Sequence, residues 1–128
     1  MSQVGLQNII IIRLAKNGEN LFCPAHMLRP VVIAGLKQNT GAELILAFDN
    51  DIAGAINRWE LEDEKLADSV FKFADPEDDI YAKIKDNFAR YEDARVYFNT
   101  DEAKSNKHFQ PEIKDLNDYL VSISFQVD

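Results

Sequence analysis

Short runs of consecutive apolar residues indicate the strands of this chain. Residues 44–48 form an uninterrupted apolar run of strand length, which is typical of a central parallel strand covered on both faces. A shorter run at 20–23 ends at Pro24 and predicts a brief buried strand. Residues 94–99 are rich in aromatic and β-branched side chains and predict another strand. The β-branched run 9–12 is compatible with a strand or with a helix that ends at Gly18.

Apolar residues spaced three and four positions apart predict helices between these strands. The first predicted helix face consists of Leu28, Val31, Val32, Gly35 and Leu36. A second pattern, which fits one long helix or two, consists of Ile52, Ile56, Trp59, Leu66, Val70 and Phe73. Asp75 can cap a further helix, because Pro76 suits a first turn and acidic residues follow it. Its apolar face would consist of Ile80, Ile84, Phe88 and Tyr91.

The C-terminal third begins with a polar stretch, 100–110, that predicts a surface loop. Pro111 would open a final helix with Ile113, Leu116 and Leu120 on one face, and the alternating tail 121–127 is compatible with an edge strand. Alternating helices and buried strands predict an α/β fold. We therefore expect residues 1–128 to form one domain with a small, mainly parallel β-sheet flanked by helices, of the Rossmann type.

The charge balance limits how the chain could bind nucleic acid. Its 128 residues carry 22 acidic and 14 basic side chains, a net charge of −8, with an ordinary apolar fraction of 46%. Most non-specific affinity for nucleic acid comes from neutralising phosphates with basic residues. A nucleic-acid role would therefore require a divalent cation or a partner domain, unless the excess charge serves only solubility.

Cysteine usage and hydropathy point to a cytoplasmic protein without a membrane association. Cys23 is the only cysteine, so an internal disulfide and a multi-cysteine zinc site are excluded, and a buried small apolar residue is expected there. No stretch approaches the roughly 20 apolar residues that span a bilayer. The N-terminal residues lack the basic and long apolar regions of a signal peptide.

Two carboxylates, Asp49 and Asp51, directly follow the predicted central strand. The carboxyl end of such a strand opens onto the crevice where α/β proteins bind ligands. Carboxylate oxygens are the ligands that Mg²⁺ prefers, and Gly54 would allow close packing where the next helix begins. The spacing alone is also compatible with Asp51 as a helix cap and Asp49 as a turn residue.

Two segments resemble the Toprim domains of phage and plasmid primases and of DNA-mobilisation proteins. The first runs from Met27-Leu28-Arg29-Pro30-Val31 through a helix to the strand and Asp49-Asn50-Asp51-Ile52-Ala53-Gly54. The second is Lys114-Asp115-Leu116-Asn117-Asp118-Tyr119-Leu120. The resemblance covers about residues 22–60 and 113–120, which is under half of the chain. Two motifs in the right order are more specific than either alone.

The resemblance implies a role in nucleic-acid metabolism, in primase-like replication or mobilisation of a phage, plasmid or other mobile element. It implies that Asp49 and Asp51 bind Mg²⁺ and that Asp115 and Asp118 support the site from the same edge of the sheet. A solvated helix face is the alternative for Asp115 and Asp118. Expected partners are nucleic acid, reached through the metal or a partner domain, and other replication or mobilisation proteins.

One departure from the family bears on catalysis. Toprim enzymes carry a glutamate after their first strand as general acid/base, and that position should fall near Gly5, or at Arg13 if residues 9–12 are the first strand. Neither is acidic. Residues 60–91 also form an acidic region that the simpler family members lack. We expect a domain incomplete as a catalyst, or else a catalytically inactive acidic module that binds protein. A phosphoacceptor role for Asp49 is a weaker alternative.

Overall fold

The computed structural model describes residues 9–14, 18–24, 29–115, 118–121 and 123. Its four strands are β1 (Ile9–Arg13), β2 (Asn20–Pro24), β3 (Glu43–Ala47) and β4 (Ser69–Val70). Its helices are α1 (Pro30–Thr40), α2 (Ile52–Asp63), α3 (Ile80–Asn87), α4 (Tyr91–Tyr97) and α5 (Asp101–Lys104), followed by a 3-10 helix at Lys107–Phe109. Helix and strand alternate from β2 to β4, which confirms an α/β fold.

The strands form one mixed sheet in the order β2-β1-β3-β4. β1 is antiparallel to both of its neighbours, β2 and β3, while β3 and β4 are parallel. The expectation of a mainly parallel sheet was therefore wrong. The physical reason is the short β1–β2 connection, because a connection of a few residues joins antiparallel strands whereas a parallel pair needs a longer crossover. Because both β2 and β3 run opposite to β1, their carboxyl ends lie at the same edge of the sheet.

One apolar cluster packs α1 and the second half of α2 against the sheet. Ile10 and Ile12 of β1 lie opposite Leu46 and Leu44 of β3, and all four are buried. Ile33 supplies the buried contact of α1, with an exposed fraction of 1%. Residues 9–12 are therefore a strand and not a helix, since each of them pairs with β2 on one side and β3 on the other.

A second apolar cluster joins the helices. It is formed by Ala55, Ile56, Trp59, Ile80, Ile84, Ala94, Phe98, Ala103 and Phe109. The predicted helix face of Ile56 and Trp59 is confirmed here, as is the buried pair Ile80 and Ile84. Helix α2 belongs to both clusters, so it fixes the helical layer relative to the sheet and also fixes the turn that precedes it.

Several predicted elements were wrong. Residues 94–99 belong mostly to helix α4 and not to a strand, and Ser69–Val70 is a strand where helix had been expected to continue. Strand β2 lies at the sheet edge with Phe22 67% exposed, so it is not buried. In α1 the predicted face is wrong at Val31 and Val32, which are 75% and 46% exposed, and right at Leu36, which packs against the sheet cluster. Leu28, which belonged to that predicted face, lies outside the described residues.

The remaining differences concern helix beginnings. Helix α3 begins at Ile80 with Asp79 as its N-cap, while Asp75 caps the turn before it. The stretch predicted as a loop contains α5 and the 3-10 helix, whose Phe109 is buried. Residues 111–115 are not helical, and the final helical turn includes residues 118–121. The predicted edge strand at 121–127 lies mostly outside the described residues, although residue 121 is helical.

Candidate functional site

The turn between β3 and α2 carries the two predicted metal ligands. Asp51 is the N-cap of α2, and its carboxylate oxygen Oδ1 accepts a hydrogen bond of 2.8 Å from the backbone N–H of Gly54. This bond satisfies one of the N–H groups that a helix leaves unpaired in its first turn. Gly54 is buried within α2. The capping role that the sequence left open for Asp51 is therefore present, and it leaves the second carboxylate oxygen of Asp51 for other partners.

Asn50, between the two aspartates, anchors this turn to two other loops. Its side-chain amide donates to the carbonyl of Asp78 at 2.7 Å and to the carbonyl of Ile113 at 2.9 Å. Its side-chain oxygen accepts from the backbone N–H of Ile80 at 2.9 Å, and its own N–H donates to the carbonyl of Lys114. With an exposed fraction of 7%, Asn50 is the buried polar residue of the described chain. Burial of an amide is favourable only when its hydrogen bonds are satisfied, as they are here.

The Lys114–Asp118 motif is thus held directly beside the Asp49–Asp51 turn. The carboxylate of Asp115 accepts from the N–H of Asp118 at 2.8 Å, and the carboxylate of Asp118 accepts from the N–H of Lys114 at 3.0 Å. These bonds resemble a capping box, except that Asp118 accepts from the residue before the capping Asp115. Both carboxylates therefore stabilise the local chain, whichever ligands they also bind. The two segments that carry the family resemblance meet in space, although they are separated by about half of the chain.

A cleft of about 550 Å³ opens next to this junction. It lies between the first turns of α2, the end of α4 and the segment that follows α5. Its lining residues are Asp51, Ile52, Ala53, Ile56, Asn57, Arg95, Phe98, Asn99, Lys104, Phe109, Gln110, Pro111 and Lys114. The volume falls within the range of pockets that bind small molecules and cofactors.

The balance of charge in the cleft is opposite to that of the whole chain. Lys104 and Lys114 are exposed, and within the described chain neither has a carboxylate within 4 Å. The guanidinium of Arg95 is shared with Glu60 at 3.0 Å and Asn57 at 3.1 Å. Asp51 is the carboxylate in the lining. The cleft therefore presents more cationic than anionic groups, in a protein of net charge −8.

Burial raises the pKa of the Asp51 carboxyl above its ordinary value of 3.8. The hydrogen bond from Gly54 and the charge of Lys114 lower this pKa, while the charge of Asp115 raises it. Asp51 and Asp115 are therefore near enough to repel each other when both are ionised. A cation near both would remove that repulsion.

Asp49 faces a different part of the surface. It lines a smaller pocket of about 100 Å³ with Arg58, Lys72, Asp79 and Tyr81. The Tyr81 hydroxyl donates a hydrogen bond to Glu62, and the Arg58 guanidinium lies 3.6 Å from the centre of the Tyr81 ring. Burial, followed by the adjacent Glu62 carboxylate, raises the pKa of Tyr81. Asp49 and Asp51 thus line different pockets, and Asp115 lies near enough to Asp51 to raise its pKa.

The described residues offer too few grouped donors for a closed metal site. Among the residues that the structure describes, no three His, Cys, Asp or Glu side chains are grouped closely enough to hold a metal ion. Mg²⁺ does not require such a group, since it commonly binds through one or two carboxylates and keeps water or phosphate oxygens at its other positions. Asp51 and Asp115 are two carboxylates close enough to influence each other, whereas a structural zinc site would need four protein ligands.

The observed strand directions decide where the family's glutamate would have to lie in this chain. Arg13 lies opposite Glu43, at the beginning of β3, and its guanidinium pairs with that carboxylate at 3.5 Å. It is therefore at the sheet edge away from Asp49. Of the two strands that precede β3, the one whose carboxyl end shares the edge with Asp49 is β2, which ends at Pro24 and is followed in sequence by Ala25-His26 without a glutamate. Gly5 lies outside the described residues.

Sequence reasoning missed the residues that assemble the site. Asn50 had been considered only as a spacer between two acids, and its burial could not be seen without its partners at 78, 80 and 113. Lys104 lies in the stretch 100–110 that the sequence predicts as a surface loop, and Lys114 belongs to the second motif without a role of its own there. The available signal was the position of Lys114 in the second motif, directly before Asp115.

Comparisons with known proteins leave the family open. No family model matches the chain, and no curated protein or solved structure matches it. In the described part of the chain, every helix is too short or too polar to cross a membrane.

Proposed function

We propose that this chain is a Toprim-like, Mg²⁺-binding domain that acts in nucleic-acid metabolism, in primase-like replication or mobilisation of a plasmid or phage. One observation carries the proposal: Asn50 joins the Asp49–Asp51 turn to the Lys114–Asp118 motif at the edge of the sheet, beside the cleft. The same two segments carry the family resemblance. Their meeting at the carboxyl end of a strand is what a shared ligand site would require.

In this proposal Asp51 and Asp115 hold the cation, and Asp49 contributes less because it faces the smaller pocket. A bound Mg²⁺ would neutralise charge on a phosphate during phosphoryl transfer. Lys114 would place a second positive charge beside the phosphate, and the N-terminal end of α2 adds a partial positive charge there. These groups would compensate locally for a net charge of −8.

The proposed domain is incomplete as a catalyst. The segments that follow β1 and β2 contain no glutamate at their first positions, so the family's proton-transfer group is missing from this edge. Loss of a positioned general acid/base typically lowers a rate by roughly 10²–10⁴-fold. The chain would then bind metal and phosphate and obtain its acid from a partner domain.

The second candidate function is a catalytically inactive acidic module that binds another protein. The observation favouring it is that Asp51, Asp115 and Asp118 all accept capping hydrogen bonds, so structural duties alone account for them. The net charge of −8 also favours a basic protein partner over nucleic acid.

Metal titration of matched variants distinguishes the two candidates. Mg²⁺ and Mn²⁺ are titrated calorimetrically, with thermal unfolding in parallel, into the wild type, Asp51→Asn, Asp49→Asn and the control Asp86→Asn. Asn caps a helix as well as Asp does, so Asp51→Asn removes the charge and keeps the cap. The exposed Asp86 on α3 lies away from the cleft.

The Mg²⁺ proposal predicts saturable binding that Asp51→Asn weakens at least about tenfold, that Asp49→Asn weakens less, and that Asp86→Asn leaves unchanged. Absence of binding up to about 10 mM, or equal binding by wild type and Asp51→Asn, would overturn it. Either of these two results would favour the protein-binding module.

A further inference from the structure

The cleft beside Asp51 combines an apolar floor with a polar rim. Its floor includes Ile56, Phe98 and Phe109, which are buried in the helical cluster. The rings of Phe98 and Phe109 pack edge to face with their centres 5.0 Å apart, so the floor is held in place by the core itself. A ligand that fills this cleft therefore needs an uncharged body with a low cost of desolvation.

The rim supplies positive charge at one side of that floor. Lys104 and Lys114 both line the cleft, and neither is neutralised by a carboxylate within 4 Å in the described chain. Lysine ammonium groups bind phosphate as point charges with three donors each. Lys114 also lies next to Asp115 and near Asp51, so a phosphate bound there would be close to the proposed cation.

Amide side chains on the rim supply hydrogen bonds of both polarities. Asn57 uses its oxygen to accept from Arg95, which leaves its NH₂ group as a donor. Gln110 uses its NH₂ group to donate to the carbonyl of Lys104, which leaves its oxygen as an acceptor. Asn99 lines the same cleft. Amides that both donate and accept match the edges of nucleobases, where donors and acceptors stand side by side.

We propose that this cleft binds one nucleoside monophosphate unit, with its phosphate at Lys104 and Lys114 and its base over the Ile56 and Phe98 floor. The volume of about 550 Å³ suits one such unit and excludes a duplex. The proposal rests on the proposed function, since it names the ligand class of the same site. The unit is either a free nucleotide or the terminal residue of a strand.

The experiment is a calorimetric titration of AMP, adenosine and inorganic phosphate into the full chain in the presence of EDTA. A double variant, Lys104→Gln/Lys114→Gln, removes the two rim charges. The control Lys65→Gln/Lys107→Gln makes the same change of net charge at two exposed lysines outside the cleft. A dinucleotide with a 5′-phosphate and one without it separate a strand end from a free nucleotide.

We expect AMP to bind at least about tenfold more tightly than either adenosine or phosphate, because each fragment engages only one part of the cleft. The double variant should weaken AMP binding by roughly tenfold for each lysine, while the control pair binds as the wild type does. Binding of the 5′-phosphorylated dinucleotide assigns the site to strand ends. If AMP binds and this dinucleotide does not, the site is one for free nucleotides.

Equal binding of phosphate and AMP, an unaffected double variant, or absence of AMP binding up to about 10 mM would each overturn the proposal. Because EDTA removes divalent cations, these results are independent of the Mg²⁺ titration. Mg²⁺ binding without AMP binding would leave the proposed function standing and remove only its assigned ligand. AMP binding without Mg²⁺ binding would leave the nucleotide site standing and remove the proposed Mg²⁺ site.

Discussion

At the scale of single residues, Asn50 holds the site together, whereas the neighbouring aspartates supply its charge. It stands between two aspartates, yet its side chain and its own N–H bond to backbone groups: the side chain to Ile80, Asp78 and Ile113, and the N–H to Lys114. Three loops that are distant in sequence are therefore held by one side chain. Changes at Asp51 alter the charge of the site, whereas changes at Asn50 should alter its assembly.

Replacing Asn50 with alanine should lower the free energy of unfolding by roughly 2–4 kcal/mol, because the N–H of Ile80 and two carbonyls lose their partner in a buried position. Urea denaturation followed by circular dichroism measures the loss. Asn87→Ala is the matched control: its amide bonds only to Lys83 within the same helix and is exposed, so about 0.5 kcal/mol or less is expected. A loss below about 1 kcal/mol for Asn50→Ala would mean that water replaces the amide and that Asn50 is no anchor.

At the scale of elements, β4 depends on a side chain that lies just before it. The Asp68 carboxylate accepts from the N–H of Leu44 at 2.8 Å and from the ammonium of Lys37 at 2.6 Å, which links β3, α1 and β4. Burial raises the pKa of Asp68, but the hydrogen bonds from Leu44 and Lys37 outweigh it and hold the pKa below 3.8. A carboxyl with a lowered folded pKa stabilises the fold above its unfolded pKa, and that stabilisation is lost as the pH falls through the folded pKa.

Asp68→Asn should therefore cost about 1 kcal/mol at neutral pH, since the partly exposed ion pair with Lys37 is lost while an oxygen remains for Leu44. The difference from wild type should shrink as the pH is lowered from about 5 to below 3.8, when the wild-type carboxyl becomes protonated. Thermal unfolding over this pH range tests it, with Asp86→Asn as the exposed control. A difference that stays constant with pH would show that the charge of Asp68 does not stabilise the fold.

The elements that the sequence predicted correctly are those with a simple apolar pattern. The uninterrupted run 44–48 predicted a central strand, and the spacing of Ile56 and Trp59 predicted a helix face that packs on a core. Residues 94–99 misled because Val96 and Tyr97 favour strands, whereas Ala94 and Phe98 bury the face of a helix and leave Val96 75% exposed. The two-residue β4 carries no period at all. Ser69–Val70 is a strand because it pairs with β3, and this pairing depends on residues that are distant in sequence.

The same distinction applies to the site. The position of Asp51 after a buried strand was readable, because strand ends in α/β folds open onto clefts. The sequence could not show that Asp49 and Asp51 line different pockets, since this depends on the direction of each side chain. The cleft itself was hidden, because residues such as Lys104 and Phe109 come from a segment that reads as polar loop.

At the scale of the whole molecule, the charge of the cleft and the charge of the surface oppose each other. Lys104 and Lys114 stand on a chain of net charge −8, so a single phosphate is attracted locally while an extended strand is repelled. Strong binding of single-stranded DNA requires several phosphate contacts and shows a steep dependence on salt. The described cleft offers room and charge for one nucleotide unit.

The isolated chain should therefore bind a 5′-phosphorylated single strand of about 20 nucleotides less than about tenfold more tightly than a mononucleotide, with a shallow salt dependence that corresponds to one or two phosphates. Fluorescence anisotropy between about 50 and 200 mM salt measures both quantities. Mg²⁺ should strengthen the binding of wild type but not of Asp51→Asn, because the cation is proposed to be held at Asp51. Tight binding with a slope for six or more phosphates would contradict this account. It would show that the chain carries an extended basic track of its own, and the partner domain invoked to offset the acidic surface would then be unnecessary.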